Sequence, residues 1–276
     1  MENQGDALLR IAAALERLSP PAASTTDWLA HPAYIWLGEG ETRPVPGIEA
    51  PALDLLRGID SQKAVVTANV LHHARGHAAH DMLLWGARGM GKSALLRAAV
   101  AHAQEEEPGR LALIQVGTEA LGTLTELFAR LGELQRRFLV FIDDLGFAEG
   151  DAVGPRQLRS WLDGGVEARP SNVRLAVTSN RRAVVAREAS EQDDPLNPRD
   201  AVDDRLALAD RFGLALGFHA CPQDDYLAII RGYADAYGLE WSERDALEWS
   251  RRRGARSGRT GWHYVTELAA RAGRAL

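Results

Sequence analysis

The run Gly86, Ala87, Arg88, Gly89, Met90, Gly91, Lys92, Ser93 has the spacing G-x-x-x-x-G-K-[ST], and each residue type in it suits the holding of a phosphate chain. Glycines let the backbone curl so that successive N–H groups face phosphate oxygens. A helix opening at the end of the run, with Ala94 in its first turn, turns the positive end of its dipole to the same anion. A compact ammonium reaches between terminal phosphates, where a planar guanidinium is too bulky. The Ser93 hydroxyl is a hard oxygen suited to Mg²⁺. Of the 32 basic residues thirty are arginine, and Lys63 and Lys92 are the two lysines. A chain with that bias uses arginine wherever charge alone is needed, so Lys92 stands where arginine would not serve. We read Gly86 to Ala94 as a nucleotide site rather than a glycine-rich turn.

Downstream, 138-FLVFIDD-144 is an apolar run closing on two carboxylates. In phosphate-loop enzymes the acid at the end of such a strand holds Mg²⁺, commonly through water, which assigns that role to Asp143. Asp144 then orients or polarises the attacking water as a general base. Thr178-Ser179-Asn180 ends the next apolar run, and an amide there would lie beside a γ-phosphate and hold the same water. Asparagine at a strand end is also ordinary turn chemistry, and its order after the two acids is what gives Asn180 weight. Two arginine groups follow: Arg211 in 210-DRFG-213, and Arg256 and Arg259 in 254-GARSGRTGWHYV-265 near a helix start. Arg251, Arg252 and Arg253 read as a solvated face. In 72-HHARGHAAH-80, His73 and His77 have the i, i+4 spacing of helical metal ligands. Gly76 between them, with no cysteine or carboxylate close by, favours a solvated connector instead.

These residues need elements to carry them. Met82–Trp85 reads as a buried strand, and the stretch from Ser93 as a helix with leucines on one face. Strands are predicted at 111–116, 138–144, 174–180 and 214–218, alternating with helices at 118–131, 153–165 and 203–213. Such alternation builds a parallel sheet covered on both faces. Beyond Pro222 only helical patterns remain, near 223–236, 243–252 and 261–272. Upstream, residues 5–18 carry a one-sided apolar helix pattern, a Pro/Ala/Ser/Thr linker follows, and AYIWLG (33–38) is a short strand candidate. The implied organisation is an N-terminal helix and extended linker (1–50), an α/β nucleotide-binding core (51–221) and a helical lid (222–276).

At 276 residues, 46% hydrophobic and 25% charged, the composition is that of a water-soluble chain with ample core. A net charge of −6 argues against whole-surface affinity for nucleic acid. A single cysteine, Cys221, forbids an intrachain disulfide and fits a reducing cytoplasm. Glu2, Asp6, Arg10, Glu16 and Arg17 rule against a signal peptide, and no uncharged apolar stretch approaches a membrane span.

The order of phosphate loop, acidic strand, strand-end Asn, helix-end Arg and lid Arg resembles that of AAA+ ATPases. The phrases LLWGARGMGKS, FIDDLGF, GVEARPSNVRLAVTSNRR, LADRFGLALGF, DDYLAIIRGYA and RSGRTGWHYV are similar to a bacterial AAA+ family of stand-alone ATP-binding proteins catalogued as a domain of unknown function. Together they cover about residues 33–270. FIDD and DRFG also resemble replication initiator and helicase-loader ATPases. The resemblance implies a phosphate-loop NTPase fold, a three-layer sandwich with a parallel five-stranded sheet and a small all-helical lid. It implies Lys92 and Ser93 on the first Walker motif and Asp143 and Asp144 on the second. Asn180 would be sensor 1 and Arg211 the arginine finger. Sensor 2 falls on Arg256 if G-A-R aligns, or on Arg259 if S-G-R does. LLRGIDSQKAVV resembles the segment that touches the nucleotide base, with Gly58 and Ile59 as backbone contacts. Most family members carry Asp-Glu where this chain has Asp-Asp, which implies slow hydrolysis; initiator-like ATPases share the Asp-Asp form.

The expected activity is therefore binding and hydrolysis of ATP with Mg²⁺, in a homo-oligomer with a trans-acting finger, to move the lid and remodel an unidentified protein partner. A loader acting with nucleic-acid machinery is less favoured, because the charge is negative and no appended helix-turn-helix follows the lid. A GTPase would show N-K-x-D, which neither lysine supplies. A non-hydrolysing ATP sensor stays open because of Asp144.

Overall fold

Strands that read as unbroken apolar runs are those buried on both faces. The computed structural model, which describes residues 26–146, 158, 160–162, 169–180 and 210–276, places them at the centre of one sheet. Its strands are β1 (Ala33–Gly38), β2 (Glu41–Val45), β3 (Met82–Gly86), β4 (Leu111–Val116), β5 (Arg137–Ile142), β6 (Val173–Ser179) and β7 (Leu214–Phe218). Their spatial order is β2-β1-β4-β5-β6-β3-β7. Every pairing is parallel except β1 with β2.

The described helices are α1 (Asp60–Ala74), α2 (Lys92–Glu106), α3 (Leu124–Gly132), α4 (Gln223–Tyr237), α5 (Glu243–Arg252) and α6 (Gly258–Arg271). Alternation along the strands divides the core. Met82, Leu84, Leu139 and Phe141 face a cluster with Val66 and Val70 of α1 and Leu95 and Leu96 of α2. Leu83, Phe138, Val140 and Ile142 face the other side, against Leu124, Leu127 and Leu131 of α3. Helices cover both faces, so the α/β sandwich expected from the sequence is present. The lid shares the first cluster through Tyr226, Ile229 and Ile230 of α4 and Tyr264 of α6.

Two expectations need correction. The sheet has seven strands rather than five. β1 pairs with β4, and β2 closes an antiparallel hairpin on its outside, so residues 33–45 belong to the sheet. β2 escaped the sequence pattern because it is an edge strand, ETRPV, with no buried residue. A proline is tolerated there because no further strand needs its N–H. The histidine stretch is also not wholly a connector. α1 continues through His72 and His73, and His73 is 2% exposed, its Nε2 3.0 Å from the Phe138 carbonyl oxygen. Among the described residues no group of three or more His, Cys, Asp or Glu could hold a metal ion.

Smaller differences are local. The helix expected from 118 opens as a 3-10 turn over Thr118–Thr123 before α3, and α6 starts at Gly258 rather than 261. The helix predicted over 5–18, and most of those over 153–165 and 203–213, lie outside the described residues; residues 210–213 form a turn before β7.

Candidate nucleotide-binding site

The loop after β3 is held by its own backbone. Gly86 has φ of +124°, and a Cβ there would lie 2.1 Å from the Phe218 carbonyl oxygen, so no other residue fits. That same oxygen accepts from Ala87 N at 2.7 Å, stitching the loop to β7. Gly91, at φ +86°, precedes α2 and gives it no side-chain cap. The first N–H groups of α2 are thus left to an anion rather than to a capping side chain.

Lys92 is 7% exposed and folds back over this loop. Its Nζ donates to the carbonyls of Gly86 (2.8 Å) and Ala87 (2.9 Å) and to Asn180 Oδ1 (3.3 Å). Burial pulls its pKa down, while the carboxylates of Asp144 and Asp143 push back up. The ammonium is therefore partly desolvated and held by neutral oxygens, a state that a phosphate oxygen improves.

Both acids hang on one hydroxyl. Asp143 Oδ1 accepts from Ser93 Oγ and from Thr178 Oγ1, each at 2.6 Å. Thr178 Oγ1 in turn accepts from Asp144 N at 2.8 Å. Asp144 has φ of +52°, a left-handed conformation that aspartate tolerates better than most residues. Asn180 Nδ2 donates to Asp144 Oδ1, so Asn180 touches Lys92 with its oxygen and Asp144 with its nitrogen.

The lid completes the site. Ser257 caps α6 by accepting from Thr260 N at 3.1 Å. Arg259 N donates to the Gly89 carbonyl at 3.1 Å, and a Cβ on Gly89 would lie 2.9 Å from Ser257 Oγ. The start of α6 thus rests on the phosphate loop. Arg259 lines the resulting cleft of about 1120 Å³, and Arg256 does not. Arg256 is exposed; burial, and then Asp225, push the Cys221 thiol up to about 11, and the Arg256 charge opposes them.

The lining of that cleft is of two kinds, with Glu49, Arg57 and Arg97 also on it. Arg88, Lys92, Ser93, Asp143, Asp144, Asn180 and Arg259 are charged or polar; Ala50, Leu55, Leu56, Ile59, Tyr233, Tyr237 and Trp262 form an apolar, aromatic wall. The Trp262 ring packs edge-on to Tyr233, with centroids 5.0 Å apart. A flat apolar group joined to a phosphate chain fits such a cleft. Ser93 and Asp143 present adjacent hard oxygens of the kind Mg²⁺ takes.

Of the residues singled out in the sequence, Arg88 to Ala94, Asp143, Asp144, Asn180, Ile59 and Arg259 line the cleft. Gly86 and Ala87 form the base of the loop. Gly58 (φ +74°) lies behind the wall, where a Cβ would come within 3.0 Å of Asp225 Cβ. Arg211 is not brought to this cleft. It sits in the turn before β7, at the opposite end of the sheet from the phosphate loop.

Sequence reading missed Thr178, Arg97 and the aromatic trio. Thr178 lies two residues before Asn180, so the two share a strand face, and that spacing is a usable signal. Trp262 follows Arg259 by three residues on α6 and shares its face likewise. Arg97, one turn beyond Ser93, lines the cleft, and its buried Nε has no hydrogen-bond partner among the described residues.

A phosphate loop on a parallel sheet, followed by paired acids, a strand-end asparagine and a small C-terminal helical unit, is the arrangement of the AAA+ phosphate-loop fold. The chain belongs to the family described as "Protein of unknown function (DUF815)", whose model matches residues 29–272. No curated protein matches it. Among solved structures it is similar to the Thermotoga maritima RuvB Holliday junction branch migration motor, at 18% identity and a TM-score of 0.53. That match covers 81% of this chain and 66% of RuvB, just under two thirds of its length. It is also similar to the Aeropyrum pernix ORC1 protein in complex with DNA, at 17% identity and a TM-score of 0.52, covering 80% of this chain and 65% of that one. At these identities the likeness is one of fold.

Proposed function

We propose that the protein binds Mg-ATP and hydrolyses it slowly, using the cycle to move the lid against the core and so act on a partner protein. One observation carries this proposal: the Ser93–Asp143–Thr178 and Lys92–Asn180–Asp144 links converge on a cleft that is also lined by Ile59, Tyr233, Tyr237 and Trp262. Lys92 exchanges its carbonyl partners for the β- and γ-phosphates. Ser93 and Asp143 hold Mg²⁺, which when bound neutralises phosphate charge. Asp144 and Asn180 orient the attacking water, and Arg259 serves as sensor 2 in preference to Arg256. Ile59 and the loop from Gly58 meet the base. Arg211 acts in trans within a homo-oligomer in the cytoplasm. ATP is preferred over GTP, since no N-K-x-D element reads guanine.

Asn180 favours one second reading, a non-hydrolysing ATP switch, because its amide occupies the carboxylate that must meet water. Nucleic acid is the less favoured partner for a chain of net charge −6, although ORC1 was captured with DNA.

Lys92→Ala should weaken ATP binding by about 100-fold, the loss of two charge-assisted hydrogen bonds, without altering the circular dichroism spectrum. Unchanged affinity sinks the assignment. Asp144→Asn should bind ATP and fail to release phosphate, and turnover at the wild-type rate would count against Asp144 as base. The same variant, purified from the native host, should retain the partner.

A further inference from the structure

Lys92 is explained by phosphate, which leaves Lys63 as the second lysine in a chain that otherwise uses arginine. Lys63 lies in the first turn of α1, its side chain 20% exposed. Its Nζ reaches back to the Leu56 carbonyl at 2.9 Å and pairs with Asp60 Oδ1 at 2.9 Å. That hydrogen bond holds the Asp60 carboxyl below its ordinary pKa. A ring is closed in this way around Leu56, Arg57, Gly58 and Ile59.

The enclosed loop is a wedge between three parts of the molecule. Leu56 and Ile59 are buried and belong to the apolar lining of the cleft. Ile59 Cδ1 lies 3.6 Å from where a Gly91 Cβ would stand, so the wedge touches the phosphate loop. Gly58 abuts Asp225 of α4, so it also touches the lid. Gln62 Nε2 donates to the Gly217 carbonyl at 2.9 Å, fixing the turn that carries Lys63 to β7. Leu56–Ile59 has no strand or helix of its own, and Lys63 supplies a tie across it from an anchored helix. The tie needs a small head that donates to a carbonyl and a carboxylate at once, on a stem that doubles back within one turn. An ammonium does this; a planar guanidinium spreads its donors too widely.

We infer that Lys63 is a positioning residue, whose bridge from Leu56 to Asp60 holds the Leu56–Ile59 loop as the wall against which the nucleoside of a bound nucleotide packs. This rests on the nucleotide reading proposed above. The phosphate loop has independent ties, through Ala87 to Phe218 and through Lys92 to its own carbonyls. Loss of Lys63 should therefore be felt at the nucleoside and not at the phosphates.

Calorimetric titration of the full chain with Mg-ATP and with Mg-tripolyphosphate, which has the phosphates and no nucleoside, separates the two. In Lys63→Met, ATP affinity should fall about tenfold, as for loss of a charge-assisted hydrogen bond, while tripolyphosphate affinity stays unchanged. Equal weakening of both probes, or undiminished ATP affinity, overturns the inference. So does a wild-type chain that binds ATP no more tightly than tripolyphosphate. If Lys63→Met does not fold, Lys63→Gln, whose shorter side chain falls short of Leu56, is read by the same ratio. A wild-type chain that binds tripolyphosphate and not ATP, or neither, refutes the nucleotide reading itself.

Discussion

Thr178 holds two acids with one hydroxyl, donating to Asp143 and accepting from the Asp144 amide. At 1% exposure it has no water to replace either bond. Thr178→Val keeps the β-branched shape that suits β6, so the strand should persist. Asp143 would lose one of its two donors and Asp144 its backbone anchor, at about 1–3 kcal/mol for a buried group left unpaired. We expect ATP to bind within about threefold of wild type, with hydrolysis reduced about tenfold or more, since binding leans on Lys92 and the loop amides. A steady-state assay resolves kcat from KM, and a variant with unchanged kcat would show that Thr178 is only a strand residue. The acids and the loop were legible in the sequence because their chemistry admits few substitutes. Thr178 was not, since threonine is ordinary in any strand, and only its contacts distinguish it.

The helix α1 is fixed at both ends. Gln62 ties its start to β7, and His73 ties its end to β5 through the Phe138 carbonyl. Burial lowers the His73 pKa from 6.5 to about 4. Above pH 6.5 the imidazole is neutral in folded and unfolded chains alike, and its contribution is complete. As pH falls toward 4 the unfolded chain takes up the proton and the folded chain does not, so roughly 3 kcal/mol of stability is lost. His73→Gln keeps a donor for Phe138 and has nothing to titrate. Urea unfolding at pH 7 and pH 5 should show a smaller drop in the variant than in wild type; equal drops would mean that His73 is not buried as described. The elements most legible in the sequence were those buried on both faces, β3 to β6, where apolar runs have no other explanation. β2 was not, because an exposed edge imposes no apolar pattern, and the last turn of α1 was obscured by a polar side chain, His73, that in fact packs inward.

In the whole molecule, Arg211 and the phosphate loop lie at opposite ends of the β3–β7 pair, separated by a five-residue strand, about 16 Å. If Arg211 stabilises γ-phosphate charge it must do so in a neighbouring subunit. ATPase activity should then rise more than linearly with protein concentration. Arg211→Ala should bind ATP almost normally and lose about 10³-fold in turnover. Mixing Arg211→Ala with Lys92→Ala subunits should recover part of the activity, because a mixed interface joins an intact loop to an intact finger. Inactive mixtures that do co-assemble, or full activity at high dilution, would remove the finger assignment.

The placement of the two lysines has a chemical corollary. One lines the cleft and the other braces its wall, and every other basic side chain is a guanidinium or an imidazole. Leaving the α-amino group aside, the rest of the chain offers no amine to lysine acetylation, to isopeptide conjugation or to amine-directed labels. Any lysine modification of this chain therefore falls on a residue that lines the cleft or braces its wall, and should change what the cleft can hold.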